Sequence, residues 1–231
     1  MKKRIQHLIT LVYKLICLFD KKITISKSIV IFTNVYCKNN NFIEFSNAKS
    51  IKNKFSIDGT HNNVEISCDL YSTDVKINGI GNYLKIEEGC RIQNSTIIIR
   101  GNYCHISIKK GTTIGSAYIV CMGLKNAVEI GEFCMLSDQI EIWASDSHAI
   151  FSKDSQLINP SKPIIIGKHV WIGKQAVILK GATIGDNAII GMRSIVSKGI
   201  RNNSLNVGNP SREIRSNINW DRSFITKYEV Q

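Results

Sequence analysis

Only three prolines interrupt the 231 residues, no C-x-x-C pair occurs, and the apolar stretch from Leu8 to Phe19 is twelve residues long with Lys14 inside it. Each of these lacks excludes something. With 43% hydrophobic and 21% charged residues, so few prolines argue against a disordered or low-complexity chain. The cysteines Cys17, Cys37, Cys68, Cys90, Cys104, Cys121 and Cys134 all precede residue 135 and show no regular metal-ligand spacing. A disulfide framework and a zinc module are therefore not expected, and the cysteines read as small buried hydrophobes in a reducing compartment. Twelve apolar residues are too short to span a bilayer, and no A-x-A-like site precedes Asp20-Lys21-Lys22, so a signal peptide is not expected either. Acidic residues are also scarce, with eighteen against thirty Lys and Arg, a net charge of +12 that suits anionic partners. The basic residues are scattered, and no nucleic-acid recognition motif appears.

What is present is a period. Ile166, Ile172, Ile178, Ile184, Ile190 and Val196 recur every six residues, and small or apolar Val170, Ala176, Ala182, Ala188 and Ser194 follow the first five by four places. On a helix this spacing would spiral round the cylinder, whereas in extended chain an even spacing keeps every member on one side. Turn-prone pairs such as Lys180-Gly181 and Asp186-Asn187 supply a corner after each short strand. The expectation is an all-β fold, a β-solenoid whose coils stack about 4.8 Å apart. Ile86, Ile92 and Ile98, then Ile108, Ile114 and Val120, then Ile130, Leu136 and Ile142, carry the period upstream with insertions. At about eighteen residues per coil the solenoid would fill 25–207 in roughly ten coils.

Three segments fall outside the repeat. Residues 1–24 form an expected amphipathic helix with Ile5, Leu8, Val12, Leu15 and Phe19 on one stripe. Its basic flanks suit peripheral association with an anionic membrane leaflet through residues 1–22, and its stripe suits equally the solenoid end or a neighbouring protomer. Residues 208–231 are expected to form a C-terminal cap, with a helix as one form. The third segment interrupts the repeat at Ser145-Asp146-Ser147-His148, and the pattern resumes only at Pro163-Ile164-Ile165-Ile166. A long break inside a regular solenoid, at about 146–163, reads as an extruded functional loop.

The segment Ile166-Gly167-Lys168-His169-Val170-Trp171-Ile172-Gly173, the hexads to Val196-Ser197-Lys198, and Val207-Gly208-Asn209-Pro210-Ser211-Arg212-Glu213-Ile214-Arg215 resemble the hexapeptide-repeat acetyltransferases, over about residues 128–215. That resemblance implies a left-handed parallel β-helix; general chirality favours the other hand, and the repeat itself specifies neither. It also implies a cytoplasmic homotrimer, acetyl-CoA as cosubstrate and no metal. The enlarged upstream coils and the loop are most similar to bacterial capsule and O-antigen O-acetyltransferases, including those acting on sialic-acid polymers. With the charge excess, an acidic polysaccharide is the expected carbohydrate acceptor, and the helix would hold the enzyme at the inner face of the membrane.

Residue roles follow from the resemblance. His148, twenty-three residues before Trp171, matches the family's catalytic histidine, a general base at neutral pH. Trp171 matches a tryptophan at the active site, where it shapes the acceptor pocket or touches the pantetheine arm; otherwise it is an aromatic covering a solenoid edge. Lys174, Met192, Ser197, Lys198, Arg212 and Arg215 match the cofactor-contacting positions. Met192 stands where relatives carry alanine, and the three cations suit phosphates. Asp146 is a candidate to orient the His148 ring, a role a backbone carbonyl could fill, and Tyr118 is a candidate for lining the acceptor site. His7, His61, His105 and His169 are not expected to be catalytic. Two alternatives remain, N-acetylation of an amino-sugar nucleotide and a non-catalytic solenoid that binds acidic glycans. A metalloenzyme of the γ-carbonic anhydrase kind would need three converging histidines, and only His148 and His169 are near each other in sequence.

Overall fold

The computed structural model describes residues 23–37 and 39–227, so the helix expected at residues 1–22 lies outside the described residues. Ile23–Ser26 is already the first strand, two residues before the expected boundary. From there the chain winds as a three-faced solenoid of parallel strands. The first face runs from Ile23–Ser26 to Thr183–Ile184 and the third from Asn34–Cys37 to Ile195–Val196, with eight strands each. The second has ten, from Ile29–Ile31 to Ser204–Val207, closed by Arg212–Ser216 running antiparallel on the last strand.

There are thus eight complete coils, where uniform eighteen-residue coils would have given about ten. Ile166 aligns with Ile184 as the short period requires, but upstream Leu84 aligns with Ile106 and Ile99 with Cys121. The extra residues lengthen the third-face strands at the edge they share with the first face, as in Thr96–Asn102 and Ala117–Leu124. At that edge Gly59, Gly79, Gly101 and Gly123 stack with positive φ, and a Cβ on Gly101 would lie 2.0 Å from the Gly123 carbonyl oxygen. Only glycine lets the backbones approach so closely.

The core is the predicted column. Ile166, Ile172, Ile178, Ile184, Ile190 and Val196 are buried, as are Val170, Ala176, Ala182, Ala188 and Ser194 beside them. Cys90 and Cys134 occupy the same small-residue slot upstream, and burial pushes both thiols up to about 11. A second column is polar. Asn41 Oδ1 accepts from Asn62 N–H at 2.9 Å, Asn62 Oδ1 from Asn82 N–H at 2.9 Å, and Asn82 Oδ1 from Cys104 N–H at 3.0 Å. The carboxamides replace corner backbone partners that the turns take out of the sheet. The C-terminal cap is not helical where it meets the solenoid. It is the antiparallel strand Arg212–Ser216, followed by an irregular strap and a short 3-10 turn at Ile225–Lys227.

Candidate active site

The extruded loop leaves the third face after Trp143 and returns to the first face at Ile164, so it stands on the edge between them. Its root is tied on both sides. Ala144 N–H donates to Val120 O at 2.9 Å, while the Ala144 carbonyl accepts from Lys162 N–H at 3.2 Å and from Asn126 Nδ2 at 2.9 Å. Its tip is a small hairpin in which Phe151 bridges Leu157. Between root and tip lies a clasp. Asp146 accepts from the Lys180 ammonium and, at 2.9 Å, from Asn159 Nδ2. Asn159 Nδ2 also donates to His148 O at 2.8 Å, and its Oδ1 accepts from Ile150 N–H at 2.6 Å. Lys180 Nζ donates further to Asn159 O at 3.0 Å. The Lys180 hydrogen bond, with that of Asn159, holds the Asp146 carboxyl below the usual carboxylate range.

The clasp fixes the backbone that carries His148, whose N–H donates to Asp146 O at 2.8 Å. The ring itself is exposed and makes no hydrogen bond among the described residues. Asp146 therefore orients the loop, and its carboxylate is engaged by Lys180 and Asn159 instead of the imidazole. Lys180 and Asn159 had no functional signal in the sequence, where Lys180-Gly181 reads as a corner and Asn159-Pro160 as part of a polar stretch. Beside the loop root, Tyr118 packs on Trp143 with ring centroids 5.3 Å apart. Trp143 Nε1 donates to Glu141 at 2.9 Å.

The other candidate residues divide among different edges. Ser197, Lys198 and Arg212 line one cleft with Pro210 and Ser211, at the same edge as the loop and two coils further on. The Ser211 hydroxyl is buried there with no hydrogen-bond partner. Lys174 and Met192 stack on the edge between the second and third faces, where Arg193 N–H donates to Lys174 O at 2.9 Å. Met192 is strongly exposed, and Arg215 projects from the terminal strand outside the cleft. Trp171 lies on the second face, across the prism from the His148 edge, so a single protomer keeps the two apart. His169 sits on yet another edge with Nδ1 2.9 Å from Asn187 Oδ1. Trp220 and Arg222, which contact the neighbourhood of Trp171, carried no sequence signal at all.

Residues 163–198 match the bacterial transferase hexapeptide family, described as six repeats. A polysialic acid O-acetyltransferase of Escherichia coli O1:K1 / APEC is 42% identical over 97 residues, which cover 42% of this chain and 32% of that protein. A polysialic acid O-acetyltransferase of Neisseria meningitidis is 43% identical over 49 residues, covering 21% of this chain and 23% of that protein. The chain thus spans a third or less of the length of these curated relatives. The structural likeness is longer. The crystal structure of the polysialic-acid-specific acetyltransferase NeuO covers 89% of this chain and 92% of its own at 27% identity and a TM-score of 0.62. That of the polysialic acid O-acetyltransferase OatWY covers 88% and 89% at 27% identity and a TM-score of 0.66. Its three-faced parallel solenoid thus has a left-handed β-helix fold similar to those of the polysialic acid acetyltransferases NeuO and OatWY, with a hexapeptide repeat matched over residues 163–198.

Proposed function

We propose that this chain is an O-acetyltransferase that moves an acetyl group from acetyl-CoA to a hydroxyl of an acidic capsular polysaccharide, of the sialic-acid-polymer class. The observation that carries the reading is the loop at the edge of the third and first faces. It holds an exposed imidazole on a clasped backbone, two coils from the cleft of Ser197, Lys198 and Arg212. Likeness to NeuO and OatWY along most of the chain supports the acceptor class, as does the net charge of +12.

Acetyl-CoA supplies the acetyl group as an activated thioester. His148 takes the proton of the acceptor hydroxyl as the oxygen attacks, and returns it to the departing sulfur, so that an ester and a free thiol result. Lys198 and Arg212 suit the donor's phosphates by charge and hydrogen bonding. Trp171 joins this site only if a second copy brings its second face to the loop edge of the first, an arrangement compatible with the homotrimer that the resemblance implies, with transfer sites between protomers. Donor supply puts the reaction in the cytoplasm, and residues 1–22 are proposed to hold the enzyme at the inner membrane face.

Thiol release from acetyl-CoA in the presence of α2,8-linked polysialic acid tests the reading. The protein should turn over with this acceptor, and His148→Ala should lower kcat by about 10²–10⁴. Turnover that is faster with neutral glycans than with acidic ones would remove the acceptor assignment. Failure to bind CoA at all would leave the glycan-binding solenoid as the reading.

A further inference from the structure

Beyond the terminal strand the chain does not leave the solenoid. Ile218 N–H donates to Asn203 O at 3.0 Å, and the following residues run back along the edge between the first and second faces. Trp220 is only 7% exposed. It lies flat on the His169 ring, with centroids 4.1 Å apart and planes at 5°, and donates Nε1–H to His169 O at 2.8 Å. Its ring is 5.9 Å from that of Trp171 at 43°. Arg222 then donates Nη1 to Thr113 Oγ1 at 2.9 Å and Nη2 to the carbonyls of Cys134 and Phe133 at 2.7 and 3.1 Å.

A segment serving only to cover the last coil could stop there. This one passes the coil of His169 and Trp171 and is anchored one and two coils further back, at Cys134 and Thr113. The anchor is a guanidinium satisfied mainly by backbone carbonyls at a corner, those of Gly111, Phe133 and Cys134. What the anchored strap presents is one indole wedged between His169 and Trp171. Trp171 is 38% exposed, and its register neighbours on the face are Met135 and Ile189, neither of which is aromatic. Tilted aromatic contact with Trp220 selects one orientation.

We infer that Trp220 is a positioning residue for acetyl transfer: the strap, locked by Arg222, holds the Trp171 indole in the orientation it presents to the loop edge of a neighbouring copy. The inference rests on the assignment of Trp171 to the transfer site. It makes the C-terminal segment part of the catalytic apparatus as well as the end of the solenoid.

The test uses the full chain, acetyl-CoA and α2,8-linked polysialic acid. Trp220→Ala and Arg222→Ala should each lower kcat about tenfold, with KM for acetyl-CoA changed less than about twofold, and Trp220→Phe should retain most of the turnover. Arg222→Ala removes no buried side chain, so it reports on the strap even where Trp220→Ala fails to fold. In a Trp143→Phe, Trp220→Phe background Trp171 is the sole indole emitter, since the chain has three tryptophans. Adding Arg222→Ala there should increase acrylamide quenching of Trp171. Unchanged quenching, or unchanged kcat in both alanine variants while Trp171→Ala abolishes transfer, overturns the strap's role alone. Undiminished transfer by Trp171→Ala overturns the assignment of Trp171 and this inference with it.

Discussion

Asp146 shows how a residue next to a candidate base can act on it without touching its ring. Two strong donors, Lys180 and Asn159, converge on the carboxylate, and Asn159 passes the constraint to the His148 carbonyl. Because the Asp146 pKa is depressed in the folded protein, its contribution is present above the ordinary carboxylate value and is lost only as pH falls through the lower folded value. The clasp should therefore remain closed from neutral pH down to about pH 4. Hydrogen exchange across residues 144–162 checks this, and opening already between pH 7 and pH 5 would contradict it. Lys180→Ala should lower kcat about tenfold through misplacement of His148 while leaving KM for acetyl-CoA nearly unchanged. A change in KM with kcat intact would instead assign Lys180 to donor binding.

The elements are short strands that owe their stability to stacking, since each coil touches only its neighbours. Two columns at the edge of the third and first faces do what alternation alone cannot. The asparagine column satisfies buried corner backbone, so Asn82→Ala, which orphans Cys104 N–H and leaves the Gly101 carbonyl without its 2.7 Å donor, should cost about 1–3 kcal/mol. The glycine column permits contact between backbones. Gly101→Ala should cost about 1–3 kcal/mol, whereas Gly199→Ala, whose added methyl would meet nothing within 4 Å, should be near neutral. Urea denaturation of the pair measures the difference, and equal midpoints would show that the upstream coils relax around an added Cβ. The same lengthened strands carry the edge up to Ser161, whose Oγ would lie 2.2 Å from a Cβ on Gly123, and so seat the extruded loop.

At the scale of the whole molecule, the separation of His148 from Trp171 is the decisive geometry. One lies on an edge and the other on the opposite face of the same prism, so a site containing both is built from two copies. Co-expression of His148→Ala with Trp171→Ala chains should therefore restore transfer that neither variant shows alone, because mixed assemblies contain some sites with both wild-type residues. Rates no higher than those of the separate variants would mean that the two residues do not share a site.

The period of six was sufficient by itself to specify extended chain, the buried column and the place where the solenoid breaks at the His148 loop. Alternation of side chains along a strand is a local property, so every residue of a repeat reports it. The upstream coils were legible as enlarged, but counting the whole solenoid in eighteen-residue coils overestimated their number, because that length holds only where the repeat is regular. Asn62 and Asn82 could be read only as turn residues, since their role depends on backbone one coil away. Tertiary structure alone decided that Lys180 grips Asp146, that Trp171 faces away from His148, and that Arg222 reaches Thr113. Each of these joins or separates positions far apart in the chain, and their relation exists only once stacking has set which rungs are neighbours.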